Sequence, residues 1–154
     1  MLTRILILAA LLAVAGERGE SPLEAEFVRQ RAHLVSLAGS TSEEACSGTG
    51  LIVYLQGEHV RHLDWSIEMS TQFIRRQYFF SGSLPGLVIE TVHAKLGSED
   101  EPLPAPRLVS VTRYPLDGNS DMAREKEFRE HAEFLMHDFR QHRTEFMPVT
   151  PNDI

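Results

Sequence analysis

Between Leu51 and Leu116 the chain alternates short apolar and aromatic runs with glycines and polar turns. In one run the apolar residues Leu63, Trp65, Ile67 and Met69 alternate with the polar residues His62, Asp64, Ser66 and Glu68. A period of two places alternate side chains on opposite faces of a strand, so one face of the sheet is predicted to be apolar and the other wet. We therefore predict about five strands, at residues 51–56, 59–69, 72–80, 86–94 and 107–115, joined mostly by tight turns into an antiparallel meander.

Helical patterns flank this region on both sides. Ser21-Pro22-Leu23-Glu24 is typical of a helix start, with Ser21 as N-cap and Glu24 completing a capping box, and we expect this helix to run to about Leu37. A second helix is predicted from Ser120 or Asp121 to about His142. Its apolar stripe comprises Phe128, Ala132, Leu135 and Phe139. Packing that stripe on the apolar sheet face predicts an α+β fold of helix on sheet in two layers: an N-terminal helix, the meander, and a C-terminal helix packed on one sheet face.

The N-terminus has the three parts of a secretory signal peptide. Arg4 precedes an unbroken apolar run from Ile5 to Ala15, which ends in the small-residue pattern Ala13-Val14-Ala15. The run is too short for a stable membrane span, which needs about 20 apolar residues. We predict cleavage after Ala15 and a soluble protein that is exported to the periplasm or secreted, with an ordinary hydrophobic N-terminal helix as the alternative. Residues 16–143 then form a single α+β domain, and residues 144–154 form a flexible C-terminal tail.

The net charge and the cysteine content limit the kinds of partner and of covalent cross-link that we expect. The formal net charge is −7, and the basic pair Arg75-Arg76 points to opposite faces in a strand, so nucleic acid is not expected as a partner. The lone Cys46 excludes an intrachain disulfide. Polar and acidic neighbours favour an inert thiol there; a dimer through Cys46 and a redox role are alternatives.

The segment from Gly50 to about Gln141 resembles a group of uncharacterised exported bacterial proteins. The matching residues are Leu51-Ile52-Val53-Tyr54, the hairpin Tyr78 to Leu84, Arg113-Tyr114-Pro115-Leu116-Asp117-Gly118, and the helix from Glu125 to Phe139. The resemblance implies an antiparallel meander closed by a charged helix, and an exported location. Pro85 and Pro115 depart from the group's pattern, and because proline cannot donate to a ladder we expect strand edges or bulges at both positions.

The seven histidines do not predict a metal site. His59 and His62 are three apart in a strand and so lie on opposite faces. The helical pairs Glu127/His131 and Glu133/His137 each have a spacing of four, which can put two ligands on one face, but the two pairs are offset by six and do not share a face well with each other. The sequence also contains no Gly-x-Ser-x-Gly motif, and we predict neither catalytic residues, nor a metal, nor a cofactor.

The polar sheet face is the candidate binding surface. It carries His62, Asp64, Ser66 and Glu68, to which neighbouring strands would add Arg75 or Arg76 and Tyr78. These features predict an exported binding or interaction module without catalysis, whose partner would be an envelope or extracellular protein. Two alternatives stay open: an extracytoplasmic hydrolase that uses histidines and carboxylates of the same face, and a self-associating structural protein.

Overall fold

A computed structural model describes residues 20–42, 48–95, 106–119 and 121–150. The predicted signal peptide, Cys46 and nearly all of the loop between the last two predicted strands lie outside these ranges. The elements in the described ranges are helix α1 (Pro22–Gln30), strands β1 (Val35–Gly39), β2 (Thr49–Gln56), β3 (His59–Glu68), β4 (Gln72–Ser81), β5 (Leu84–Ala94) and β6 (Arg107–Pro115), helix α2 (Met122–Gln141) and strand β7 (Met147–Pro148). Short 3-10 turns follow each helix, at Arg31–His33 and Arg143–Glu145.

Over the described residues the strands form one seven-stranded antiparallel sheet in the order β6-β5-β4-β3-β2-β1-β7. Strands β2 to β6 are the predicted meander, displaced by at most two residues at their ends. Two-residue turns close the β2–β3 and β4–β5 hairpins, where Gly57 and Gly82 have φ of 60° and 66°, a region that glycine enters without a steric cost. The expectation for the two prolines is confirmed: Pro85 pairs beside a register shift, and Pro115 ends the edge strand β6.

Helix α2 packs on the sheet face that carries Trp65, as its apolar stripe predicts. The stripe residues Phe128, Ala132 and Leu135 are fully buried, and they form one cluster with Leu63 and Tyr78. Asp121 caps the helix by accepting hydrogen bonds from the backbone N–H groups of residues 123 and 124. At roughly 1.5 to 3 kcal/mol for each large side chain, this burial is the main source of stability for the helix.

Helix α1 lies on the opposite face, so the fold has three layers and the two-layer prediction was wrong. Tyr78 and Phe79 are neighbours in β4 and point to opposite faces; Tyr78 contacts Phe128 of α2, with ring centroids 6.5 Å apart, and Phe79 contacts Phe27 of α1 at 5.7 Å. The capping box of Ser21 and Glu24 is present as predicted. The second apolar face arises because β4 and β5 carry large side chains on both sides.

The predicted end of the first helix was also wrong. The helix prediction extended to Leu37, whereas Val35–Gly39 form strand β1, because pairing with β2 supplies a backbone ladder that a longer helix would forfeit. The predicted flexible tail contains β7, which pairs with β1, and Phe146, which is 5% exposed against Phe139. Burial of one aromatic ring holds this segment, and no period in the sequence shows it.

None of the helices in the described ranges combines the length and apolarity needed to cross a bilayer.

Candidate functional site

Helix α1 covers only one end of its sheet face. Its nine residues place Leu23 and Phe27 over the buried side chains Phe79, Leu87 and Ile89. Beyond the helix the same face opens into a cavity of about 400 Å³. The cavity is lined by Ala38, Gly39, Gly50, Leu51, Ile52, Asp64, Ser66, Phe73, Arg75 and His93. A small helix on a wide sheet thus leaves a concave, half-covered surface.

The polar centre of this cavity is a bidentate ion pair between β3 and β4. Arg75 Nε donates to Asp64 Oδ1 at 2.7 Å, and Arg75 Nη2 donates to Asp64 Oδ2. The Asp64 side chain is 8% exposed and that of Arg75 is 42% exposed, so the carboxylate is the buried member and the guanidinium reaches solvent. The hydrogen bonds to Asp64 raise the pKa of Arg75 above its ordinary value, so the guanidinium keeps its charge.

Three further groups give the cavity an amphipathic lining. Ser66 lies opposite Arg75 in the β3–β4 register, and His93 on β5 has an Nδ1 atom that is buried and without a hydrogen-bond partner among the described residues. Ile52 and Phe73 contribute half-buried apolar walls. Nη1 of Arg75 takes no part in the ion pair with Asp64. A fixed cation therefore lies next to apolar surface with part of its hydrogen-bonding capacity not used by Asp64.

The four residues predicted for the polar face do share one face, but only two of them line the cavity. Asp64 and Ser66 do so. His62 is fully buried beneath α1, in contact with Phe27, so it is not available to a partner. Glu68 lies at the end of β3, where it accepts a hydrogen bond from Lys95 Nζ at 2.5 Å.

Of the two arginines offered by the sequence, the structure selects Arg75. Arg76 lies on the α2 side with Tyr78, in ion pairs with Glu90 and Glu127. Sequence reasoning missed Phe73 and His93, although the alternation within each strand would have placed both on the face of Arg75 once the hairpin registers were known. It also predicted the first helix but not that this helix covers His62, because Phe27 lies 35 positions before His62 in the chain.

No group of three histidine, cysteine, aspartate or glutamate side chains comes together as a metal site in the residues that the structure describes. The members of one helix pair singled out in the sequence, Glu127 and His131, have other contacts. Glu127 pairs with Arg76 and Arg124, and His131 accepts or donates a hydrogen bond at the hydroxyl of the buried Tyr78.

No family model matches the chain, and no curated protein or solved structure is significantly similar to it. The cavity is accordingly interpreted from its own residues.

Proposed function

We propose that the protein is an exported binding module without catalysis, and that the cavity beside α1 takes a small amphipathic molecule with an anionic or carbonyl acceptor group. The single observation that carries this proposal is the placement of Arg75, held by Asp64 at the wall of a 400 Å³ cavity that also has apolar walls. Ligand pockets for small molecules have this size, and they combine apolar lining with a few placed polar groups.

The chemistry of the pair favours binding over acid–base work. Both oxygens of Asp64 accept from Arg75, so the carboxylate acts as an orienter of the guanidinium. The free edge of a guanidinium donates to carboxylate, sulfonate or carbonyl oxygens in a fixed geometry. Ile52 and Phe73 then receive the apolar body of the same molecule.

The test uses two fluorescent probes with one aromatic body: 1-anilinonaphthalene-8-sulfonate, which is anionic, and N-phenyl-1-naphthylamine, which lacks the sulfonate. The purified protein is expected to bind one molecule of the sulfonate probe saturably. Arg75→Lys keeps the positive charge beside Asp64 but removes the planar guanidinium and its additional N–H donors. It should weaken the binding of the sulfonate probe about tenfold, which corresponds to one charge-assisted hydrogen bond of roughly 1.4 kcal/mol. The neutral probe should be insensitive to this change.

Matched variants locate the site. Ser66→Leu fills the cavity and should abolish binding of both probes, whereas Ser81→Leu makes the same exchange at the exposed end of β4 and should leave both affinities unchanged. Arg61→Lys, outside the cavity, is the control for the arginine exchange. Equal probe affinities in the Ser66→Leu variant and the native protein would show that the cavity is not the site.

Export is a separate part of the proposal and is supported by the pattern of residues 1–15. The mass of the protein recovered from its own cells should correspond to a chain that begins at Gly16. A cytosolic protein that retains Met1 to Ala15 would contradict export without touching the binding test.

A further inference from the structure

Among the residues that the structure describes, strand β6 forms an open edge of the sheet. It is the last strand in the sheet order, and seven of its nine residues are exposed. Three of these are apolar: Leu108 is 50%, Val109 61% and Val111 45% exposed. The opposite edge strand, β7, has only two residues, one of which is a proline. Proteins usually shorten their edge strands or interrupt them with prolines and bulges, so β7 is a protected edge, whereas β6 is nine residues long and is interrupted only near its two ends.

The backbone of β6 has donors on its outer side. Leu116 N donates to Gly86 O at 2.9 Å, and alternation along an antiparallel ladder then turns the N–H groups of Arg113 and Val111 away from β5. Pro115 occupies the next outward position, where its missing N–H costs no bond to β5. A register shift between Val92 and His93 leaves Val109 without a partner on β5 and ends the regular outer edge.

We propose that β6 pairs with β6 of a second copy of this chain, in an antiparallel, two-fold symmetric arrangement with Thr112 opposite Thr112. In this register Val111 of each copy exchanges both backbone hydrogen bonds with Arg113 of the other. At each end of the ladder, Pro115 of one copy lies opposite the bulged Val109 of the other. Both residues would interrupt a longer ladder, and in this register they interrupt it at the same place.

Charge complementarity singles out this register. It brings Arg107 of each copy towards the exposed Asp117 of the other, just beyond the ends of the five-residue ladder and twice by symmetry, and it sets no two arginines opposite one another. A strand of a different protein would not repeat the arginine–aspartate pairing by symmetry. The ladder spans five residues on each copy, so the dimer is weak and forms in a concentration-dependent way.

Sedimentation velocity of the protein from Gly16 onwards with Cys46→Ser, which excludes a disulfide through the native thiol, tests the pairing. The sedimentation coefficient should rise from that of a monomer towards that of a dimer between about 10 µM and about 1 mM. Val111→Lys sets a lysine opposite Arg113 of the other copy and should keep the protein monomeric throughout. Val28→Lys makes the same exchange at an exposed valine of α1 and should leave the association unchanged.

Cross-linking tests the register itself. Opposed residues of a non-hydrogen-bonded pair have Cα atoms about 4.5 Å apart, within reach of a disulfide, so Cys46→Ser/Thr112→Cys should oxidise to a covalent dimer. Thr71→Cys, in the exposed β3–β4 turn, should not. A protein that stays monomeric at 1 mM and does not cross-link through residue 112, or a dimer that survives Val111→Lys, would overturn the proposal. Neither result depends on whether the cavity binds a probe.

Discussion

Phe27 of α1 stacks on His62 of β3, with ring centroids 4.0 Å apart and an interplanar angle of 22°. The imidazole is fully buried, and neither ring nitrogen has a hydrogen-bond partner of good geometry among the described residues. Burial, with smaller contributions from Arg75 and Arg31, lowers the pKa of His62 to about 3. The histidine therefore stays neutral in the folded protein.

Acid should destabilise the protein through this histidine. The unfolded chain takes up a proton near pH 6.5, and the folded chain does so only near pH 3, so stability is full above pH 6.5 and falls as the pH drops through this window. Between pH 7 and pH 5 we expect His62 to lower the free energy of unfolding by about 2 kcal/mol. The free energy changes by about 1.4 kcal/mol for each pH unit over which the unfolded chain holds one proton more than the folded chain. Urea denaturation at the two pH values measures the loss.

Two variants separate this histidine from the other titrating groups. His62→Phe keeps an aromatic ring against Phe27. It should reduce the difference in the free energy of unfolding between pH 7 and pH 5 by about 2 kcal/mol. His59→Phe makes the same exchange at an exposed histidine of the same strand and serves as the matched control. An unchanged pH dependence in His62→Phe would refute the assignment.

A closed ring of four ion pairs joins α2 to the sheet, and its members should differ in importance. Arg76 and Arg124 each pair with both Glu90 and Glu127, at 2.7 to 3.2 Å, and their guanidinium groups lie 5.1 and 4.9 Å from the centroid of Phe128. Glu90 is 13% exposed and Glu127 is 45% exposed. Glu90→Gln should therefore lower the free energy of unfolding by about 2 to 3 kcal/mol, because it leaves two partly buried arginines without their more buried carboxylate. Glu127→Gln should lower it by less than about 1 kcal/mol.

Thermal and urea unfolding of the two glutamine variants give this comparison directly. Lys126→Gln breaks an exposed ion pair of α2 with Glu130 and serves as the control, with an expected change in the free energy of unfolding within about 0.5 kcal/mol. Equal losses for Glu90→Gln and Glu127→Gln would mean that burial does not set the strength of the ring.

The strands and α2 could be predicted from the sequence because their signals are local. Alternation from His62 to Met69 and the stripe from Phe128 to Phe139 each decide one element within a window of a dozen residues. The polar face was located in the same way. Its chemistry was only half predicted, because alternation assigns Arg75 and Arg76 to opposite faces but does not say which of them lies beside Asp64.

Long-range packing decided the rest. Nothing near His62 in the sequence shows that Phe27, 35 positions earlier, covers it. The segment Val35–Gly39 has short alternation that suits a strand, but it follows a strong helix start, and only the free edge of β2 selects the strand. These contacts join residues that are far apart in the chain, and the local patterns of a single sequence do not predict them.

Phe146 should account for most of the stability contributed by the C-terminal segment. It is 5% exposed and makes an edge-on contact with Phe139 at a centroid distance of 5.0 Å. Phe146→Ala is expected to cost about 3 to 5 kcal/mol, as for other buried aromatic rings. Met147 is 67% exposed, so Met147→Ala should change the free energy of unfolding by less than about 0.5 kcal/mol. Urea denaturation midpoints of the two variants distinguish a packed segment from a loose one.

Gly39 and Phe146 should prove coupled, because the ring leaves no room for a side chain at position 39. A Cβ there would lie 2.8 to 2.9 Å from three ring atoms, whereas a Cβ at Gly86 would meet, at 2.8 Å, only the end of the Leu23 side chain. An aromatic ring cannot yield without leaving its site, but a leucine methyl moves by a rotation. Gly39→Ala should therefore cost about 1 to 3 kcal/mol and Gly86→Ala clearly less. In a double-mutant cycle the cost of Gly39→Ala should fall by at least about 1 kcal/mol in a Phe146→Leu background. Additive effects of the two substitutions would show that the ring does not pack on β1.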